Sequence, residues 1–88
     1  MNPEPGDLIC LNYPLRLFMT LCINFTLEKG TVVIMLDYPH DYEEIFEKIF
    51  GRKSLSSSWA RNAIYVEHLT TRERGIIVKD PMDIQIIK

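Results

Sequence analysis

From residue 15 to residue 27 the chain reads "LRLFMTLCINFTL", and every odd position is apolar: Leu15, Leu17, Met19, Leu21, Ile23, Phe25 and Leu27. Arg16, Thr20, Asn24 and Thr26 hold even positions, where only Phe18 and Cys22 are apolar. A period of two over such a run predicts a β-strand with one buried face. At about 3.3 Å per residue the run would reach roughly 43 Å. That exceeds an ordinary strand, so a bend or a late start is expected. "EKG" (residues 28–30) then predicts a hairpin loop with Gly30 at positive φ. "TVVIML" (residues 31–36) predicts a second strand, apolar on both faces and therefore covered twice or placed in an interface.

The period changes at "DYPHDYEEIFEKIFGRK" (residues 37–53). Tyr42, Ile45, Phe46, Ile49 and Phe50 recur at helical spacing and form one apolar stripe. Asp41 is the predicted N-cap, with Glu44 three positions on as its capping-box partner. Glu44 and Lys48 are an i,i+4 pair in the favourable order. Gly51, followed by Arg52 and Lys53, predicts the end of the helix. His40 alone in this run has no structural role.

After the serine-rich "SLSSS" loop, "AIYVEHL" (residues 63–69) alternates again. "TTRERG" (residues 70–75) is a predicted turn, "IIVKD" (76–80) a fourth strand and "MDIQII" (82–87) a fifth, with Pro81 as the break. The predicted fold is α+β in the order ββαβββ, an antiparallel or mixed sheet with the helix on one face. The odd face of the first strand is expected to meet the helix stripe. Residues 1–14, opening with the Pro/Gly-rich "MNPEPGD", are read as a flexible or extended arm, and 15–88 as a single domain; Met1 suggests a natural start, and the sequence leaves open whether the chain is a whole protein or a fragment.

Composition narrows the functional classes. At 88 residues, 47% hydrophobic and 25% charged, the chain is an ordinary single globular domain too small for a long catalytic cleft. A net charge of −2 advertises neither a nucleic acid nor a membrane. The apolar stretch near the N-terminus carries Asn12, Pro14, Arg16 and Asn24 and so suits neither a signal nor a span, and no membrane partner is expected. Cys10 and Cys22 are too few for a disulfide-stapled secreted domain, which places the chain in the cytoplasm or nucleus.

The hairpin, the helix "DYEEIFEKIFG", the spacer with Trp59, the strand "AIYVEH" and the run to "KDP" resemble the ubiquitin-like β-grasp. Within it they look most like the PB1 interaction domains. The resemblance covers residues 15–88 as a pattern of elements. It implies a non-catalytic domain that binds proteins, with Arg16 standing for the basic residue of the first strand. The acidic loop of that family is absent, since "TTRERG" is basic.

Individual residues support the same class. His40 with Asp37, Asp41, Glu43 and Glu44 has the donors for a metal, but the acids suit a helix start and no H-x-x-x-H spacing exists, so neither metal nor cofactor is expected. Glu67 and His68 are neighbours on a strand and point to opposite faces, so they form no acid–base pair. There is no Gly-rich phosphate loop and no triad, and no enzyme is expected. Phe18 and Cys22 are an apolar excess on a polar face. Trp59 either closes the sheet or anchors a partner. Arg61, Arg72 and Arg74 supply charge selectivity. The expected function is a regulatory protein-interaction domain, able to self-associate, that binds through the second sheet face or an edge strand. The alternative is a nucleic-acid-binding domain that reads with the Arg72/Arg74 hairpin, helped by Arg61, Lys79, Tyr65 and Trp59.

Overall fold

The computed structural model describes residues 3–20, 23–51 and 61–87. Its elements run β1 (Leu8–Leu11), β2 (Leu15–Phe18), β3 (Asn24–Leu27), β4 (Val32–Met35), α1 (Tyr42–Phe50), β5 (Ala63–His68), β6 (Arg74–Val78), a 3-10 turn (Pro81–Asp83) and β7 (Ile84–Ile87). The strands form one sheet of seven in the order β3-β2-β6-β5-β4-β1-β7, antiparallel at every pairing. The α+β class with one described helix agrees with the sequence. The strand number and the ββαβββ order do not.

A turn inside the first predicted strand accounts for part of the difference. The run 15–27 folds back on itself as the β2–β3 hairpin, pairing Leu15 with Leu27 and Leu17 with Phe25. Odd positions thus pair with odd positions, so the apolar phase survives the reversal and leaves no trace in the pattern. The turn carries no Gly or Pro. It is closed by Met19 N–H donating to the Ile23 carbonyl at 2.9 Å and Ile23 N–H donating to Thr20 Oγ1 at 3.1 Å.

Three further corrections concern the ends of elements. Residues 8–11, expected within the arm, form β1 between β4 and β7, with Ile9 and Leu11 buried. Gly30 takes the expected positive φ, but β4 pairs with β1 and β5 rather than with the strand before it. Gly75 lies within β6 rather than closing the turn; the left-handed residue there is Arg72, at φ 65.

The sheet curls. From Val78 to Ile84 the chain has few residues, and three of them rise only about 2 Å each in the 3-10 turn, so the link spans about 16 Å. In a flat sheet, four strand spacings of about 4.8 Å, roughly 19 Å, would separate β6 from β7. Curvature brings them together, and the inner face becomes a core to which all seven strands contribute: Ile9, Leu11, Leu17, Leu27, Val33, Met35, Ile64, Val66, Ile77 and Ile84. Of the odd positions of the run 15–27, Leu15, Leu17, Met19, Phe25 and Leu27 therefore pack against other strands, not against the helix as expected, while Ile23 is exposed.

The helix instead covers part of the outer face. Phe46 is fully buried with Ala63 and Ile76, flanked by Tyr42, Ile45, Ile49, Phe50, Tyr65 and Val78. Asp41 occupies the N-cap position, but its side chain makes no capping hydrogen bond; Gly51, at φ 87, ends the helix with its N–H on the Glu47 carbonyl at 2.8 Å. The reciprocal capping box forms at Asp80 and Asp83, around the 3-10 turn that precedes β7.

Candidate interaction surface

The pairing registers sort the outer face into rows. One row runs Phe18, Ile76, Tyr65 across β2, β6 and β5. The helix lies over it. Phe50 meets Phe18 edge-on at 4.9 Å between ring centroids, and Tyr42 meets Tyr65 at 6.5 Å. Phe18, an unexplained apolar residue in the sequence, is thereby covered. Tyr38 closes the cluster, its ring 4.6 Å from that of Tyr42 and its hydroxyl donating to the Ala63 carbonyl at 3.1 Å. The Tyr42 hydroxyl is buried without a partner. Burial, with Tyr38 as a lesser cause, pushes its pKa well above the ordinary phenol value. Burial also raises that of Tyr38. Both phenols are neutral at physiological pH.

The neighbouring row runs Arg74, Glu67, Ile34, Leu8, Ile87 across β6, β5, β4, β1 and β7. None of its members belongs to the apolar cluster under the helix. Its apolar end is open: Leu8 is 37% exposed, Ile87 is 42% exposed and Ile34 is half-buried. The next positions on the same face, Val32 and Cys10, are also half-buried. Among the described residues β7 is an outermost strand of the sheet, and it (IQII) carries no charged side chain to guard its edge. At the far end of the β1–β7 pair, Tyr13 and Met82 are exposed, beside the bond from Asn12 N–H to the Asp83 carbonyl at 2.8 Å.

The other end of the row is cationic and fixed. Glu67 is buried, and it accepts from Arg74 Nε at 2.8 Å and from Arg72 Nη1 at 3.0 Å. The arginine side chains stay 61% and 75% exposed. The hydrogen bonds from Arg74, then from Arg72, hold the Glu67 carboxyl below its ordinary value. The same pairing raises Arg74. His68 sits on the inner row opposite Val33 and serves the turn, its Nδ1 accepting from the N–H groups of Thr70 at 3.1 Å and Thr71 at 3.3 Å.

The lowered Glu67 pKa fixes the sign of a pH effect. A carboxylate depressed by folding contributes stability that is complete above its ordinary value of 4.5 and lost as pH falls through the lower folded value. Glu67→Gln is therefore expected to lower Tm at pH 7 and to flatten the acid decline, the two proteins converging in acid once the Glu67 carboxyl is protonated. Scanning calorimetry across this range checks it. Parallel curves, or equal Tm at pH 7, would refute the role of this carboxylate. The effect is modest, because both guanidinium groups face solvent.

The residues expected to bind a partner are only partly brought together. Arg72 and Arg74 share Glu67. Arg16 is exposed on the outer face of β2, and Arg61 is exposed just before β5, where Ala63 pairs with Val78. Both lie toward the Val78 end of β6, about 13 Å from Arg74 at roughly 3.3 Å per residue. The basic patch is thus split, and Lys79 is buried. Trp59 and Cys22 lie outside the described residues. Cys10 is a free thiol. Among the described residues no group of three or more His, Cys, Asp or Glu is placed to hold a metal, and no helix is long and apolar enough to cross a membrane. Leu8, Ile34 and Ile87 were not singled out from the sequence. Only the apolar character of both faces of residues 31–36 hinted at them, and it did not say which strands would flank β4.

Compared with protein families, with curated proteins and with solved structures, the chain matches none of them.

Proposed function

We propose that the chain is a small non-catalytic interaction domain that binds a protein partner, or a second copy of itself, through the outer face of β4, β1 and β7 and the open β7 edge. The observation that carries this reading is the apolar end of the row, Ile34, Leu8 and Ile87, which lies beside the helix-covered face and runs out to an uncharged sheet edge. An edge of this kind offers unpaired backbone groups to an added strand, and the apolar row beside it adds contact area. A reducing compartment, cytoplasm or nucleus, belongs to the same proposal and is supported by the free Cys10 thiol. The PB1-like resemblance stays one of element order, and neither the row nor the edge depends on it.

The alternative, nucleic-acid binding, is supported by the two exposed guanidinium groups of Arg72 and Arg74. Against it stand Glu67, which offsets one of their charges, and the distance to Arg16 and Arg61. Phosphate binding needs several clustered cations.

Light scattering across a concentration series, at low and high salt, tests self-association. Amide NMR spectra over the same series locate it. Association that perturbs β1 and β7 signals and disappears in Leu8→Ser supports the proposal. An unchanging monomer that shifts a labelled single-stranded oligonucleotide, with Arg72→Ala/Arg74→Ala abolishing the shift, selects the alternative.

A further inference from the structure

Resting on that reading of the outer face, we infer a specific occupant: an amphipathic helix of a partner protein, laid across β4, β1 and β7 with acidic residues at the end that reaches Arg72 and Arg74. The molecule already demonstrates the mode. Along α1, residues four apart meet successive strands: Tyr42 lies against Tyr65 on β5, Phe46 packs with Ile76 on β6, and Phe50 meets Phe18 on β2. A helix turn of about 5.4 Å and a strand spacing of about 4.8 Å are close enough for one anchor per strand. The partly exposed row, outside the cluster that α1 covers, repeats that geometry one step further along the strands. Ile34, Leu8 and Ile87 offer one apolar position on each of three successive strands.

The charge at the other end selects the occupant. Arg74 and Arg72 are held by Glu67 and face solvent, so they are oriented before any partner arrives. A guanidinium that is already positioned loses less freedom on binding a carboxylate. Along the curled outer face the row from β6 to β7 follows an arc of four strand spacings, about 19 Å, and the straight line between its ends is shorter, so a helix of about 13 residues is long enough to reach both. A strand added to β7 would lie four strands away from Arg74, beyond its reach. Only an occupant crossing the strands uses both ends.

The probes are three fluorescein-labelled 14-residue helical peptides. The first carries leucines four apart on one face and two glutamates at one end. The second has lysines in place of the glutamates, and the third has the leucines scattered around the helix. Anisotropy with the full chain is expected to rank the acidic peptide about fivefold or more above the lysine peptide, each 1.4 kcal/mol being tenfold. Leu8→Ser/Ile87→Ser is expected to weaken binding about tenfold or more, from lost apolar burial. Arg72→Gln/Arg74→Gln should erase the preference for acid. Methyl NMR of the unaltered chain should show shifts at Leu8, Ile34 and Ile87, a readout that needs no variant to fold. Equal binding of the acidic and lysine peptides overturns the inferred occupant. A dimer that is disrupted by Leu8→Ser and excludes the peptide overturns it in favour of a second copy, while the interaction face stands. No methyl shift with any peptide, together with an unchanging monomer, overturns both the occupant and the face.

Discussion

Phe46→Ala is expected to destabilise the protein by about 3–5 kcal/mol, the usual loss for a buried phenylalanine truncated to alanine. Phe46 has no exposed surface and sits in the middle of the helix stripe, its ring 4.7 Å from that of Phe50 and 5.9 Å from that of Tyr42. Removing it hollows the layer between α1 and the β5–β6 pair, where among the described residues Ala63 and Ile76 are comparably buried. A domain of this length has a stability of about 4–13 kcal/mol, so the loss is a large fraction of the whole. Urea unfolding followed by far-UV circular dichroism should show a lower midpoint at unchanged slope. Phe46→Leu, which keeps most of the volume, should cost less than about 1.5 kcal/mol. A Phe46→Ala loss below 1 kcal/mol would mean that the helix contributes little to holding the sheet.

The second large effect is one of sign. Glycine inside a strand ordinarily costs about 0.5–1 kcal/mol relative to alanine, so propensity predicts that Gly75→Ala stabilises. The structure predicts the reverse. A Cβ at Gly75 would lie 2.5 Å from the Phe18 carbonyl oxygen and 3.1 Å from the Leu17 Cδ1. The nearest obstacle is backbone and cannot rotate away. β2 meets β6 at the Phe18–Ile76 pair, and the close approach at Gly75 lets it do so. A loss of about 1–3 kcal/mol is expected for Gly75→Ala, and more for Gly75→Val. Any gain in the same urea titration would refute the close approach. Slowed amide exchange is expected to fail first in β2 and β3, which form one end of the sheet order.

Much of the local structure was legible. The helix announced itself through spacing, a first-turn acidic pair and Gly51, all local signals that need no partner. β5 was found nearly to the residue because "AIYVEH" alternates and is bounded by turn chemistry. The β2–β3 turn was not legible, because a reversal that pairs odd with odd positions preserves the pattern and no glycine or proline marks it. The strand at residues 8–11 was not legible either, because "LICL" is short and follows a Pro/Gly leader; its burial comes from β4 and β7, which are distant in the chain.

Of the residues chosen from sequence, Phe18 proved to be covered by the helix, and Arg72 and Arg74 proved to be paired through Glu67. An apolar residue on a polar face signals that something covers it, but not whether the cover is internal. Glu67 was assigned no partner because a salt bridge across a hairpin depends on register, and register depends on the turn. Composition, the two periods and the caps are properties of neighbouring residues, and these the sequence determined by itself: an α+β chain, the apolar stripe of one helix and the strand character of most other segments. Which strands lie side by side, which face the helix takes and that Arg74, Glu67, Ile34, Leu8 and Ile87 fall into one row were decided only by the tertiary structure. The physical reason is that a strand satisfies its hydrogen bonds with any partner edge, so the choice is made by how the whole sheet curls to close its core.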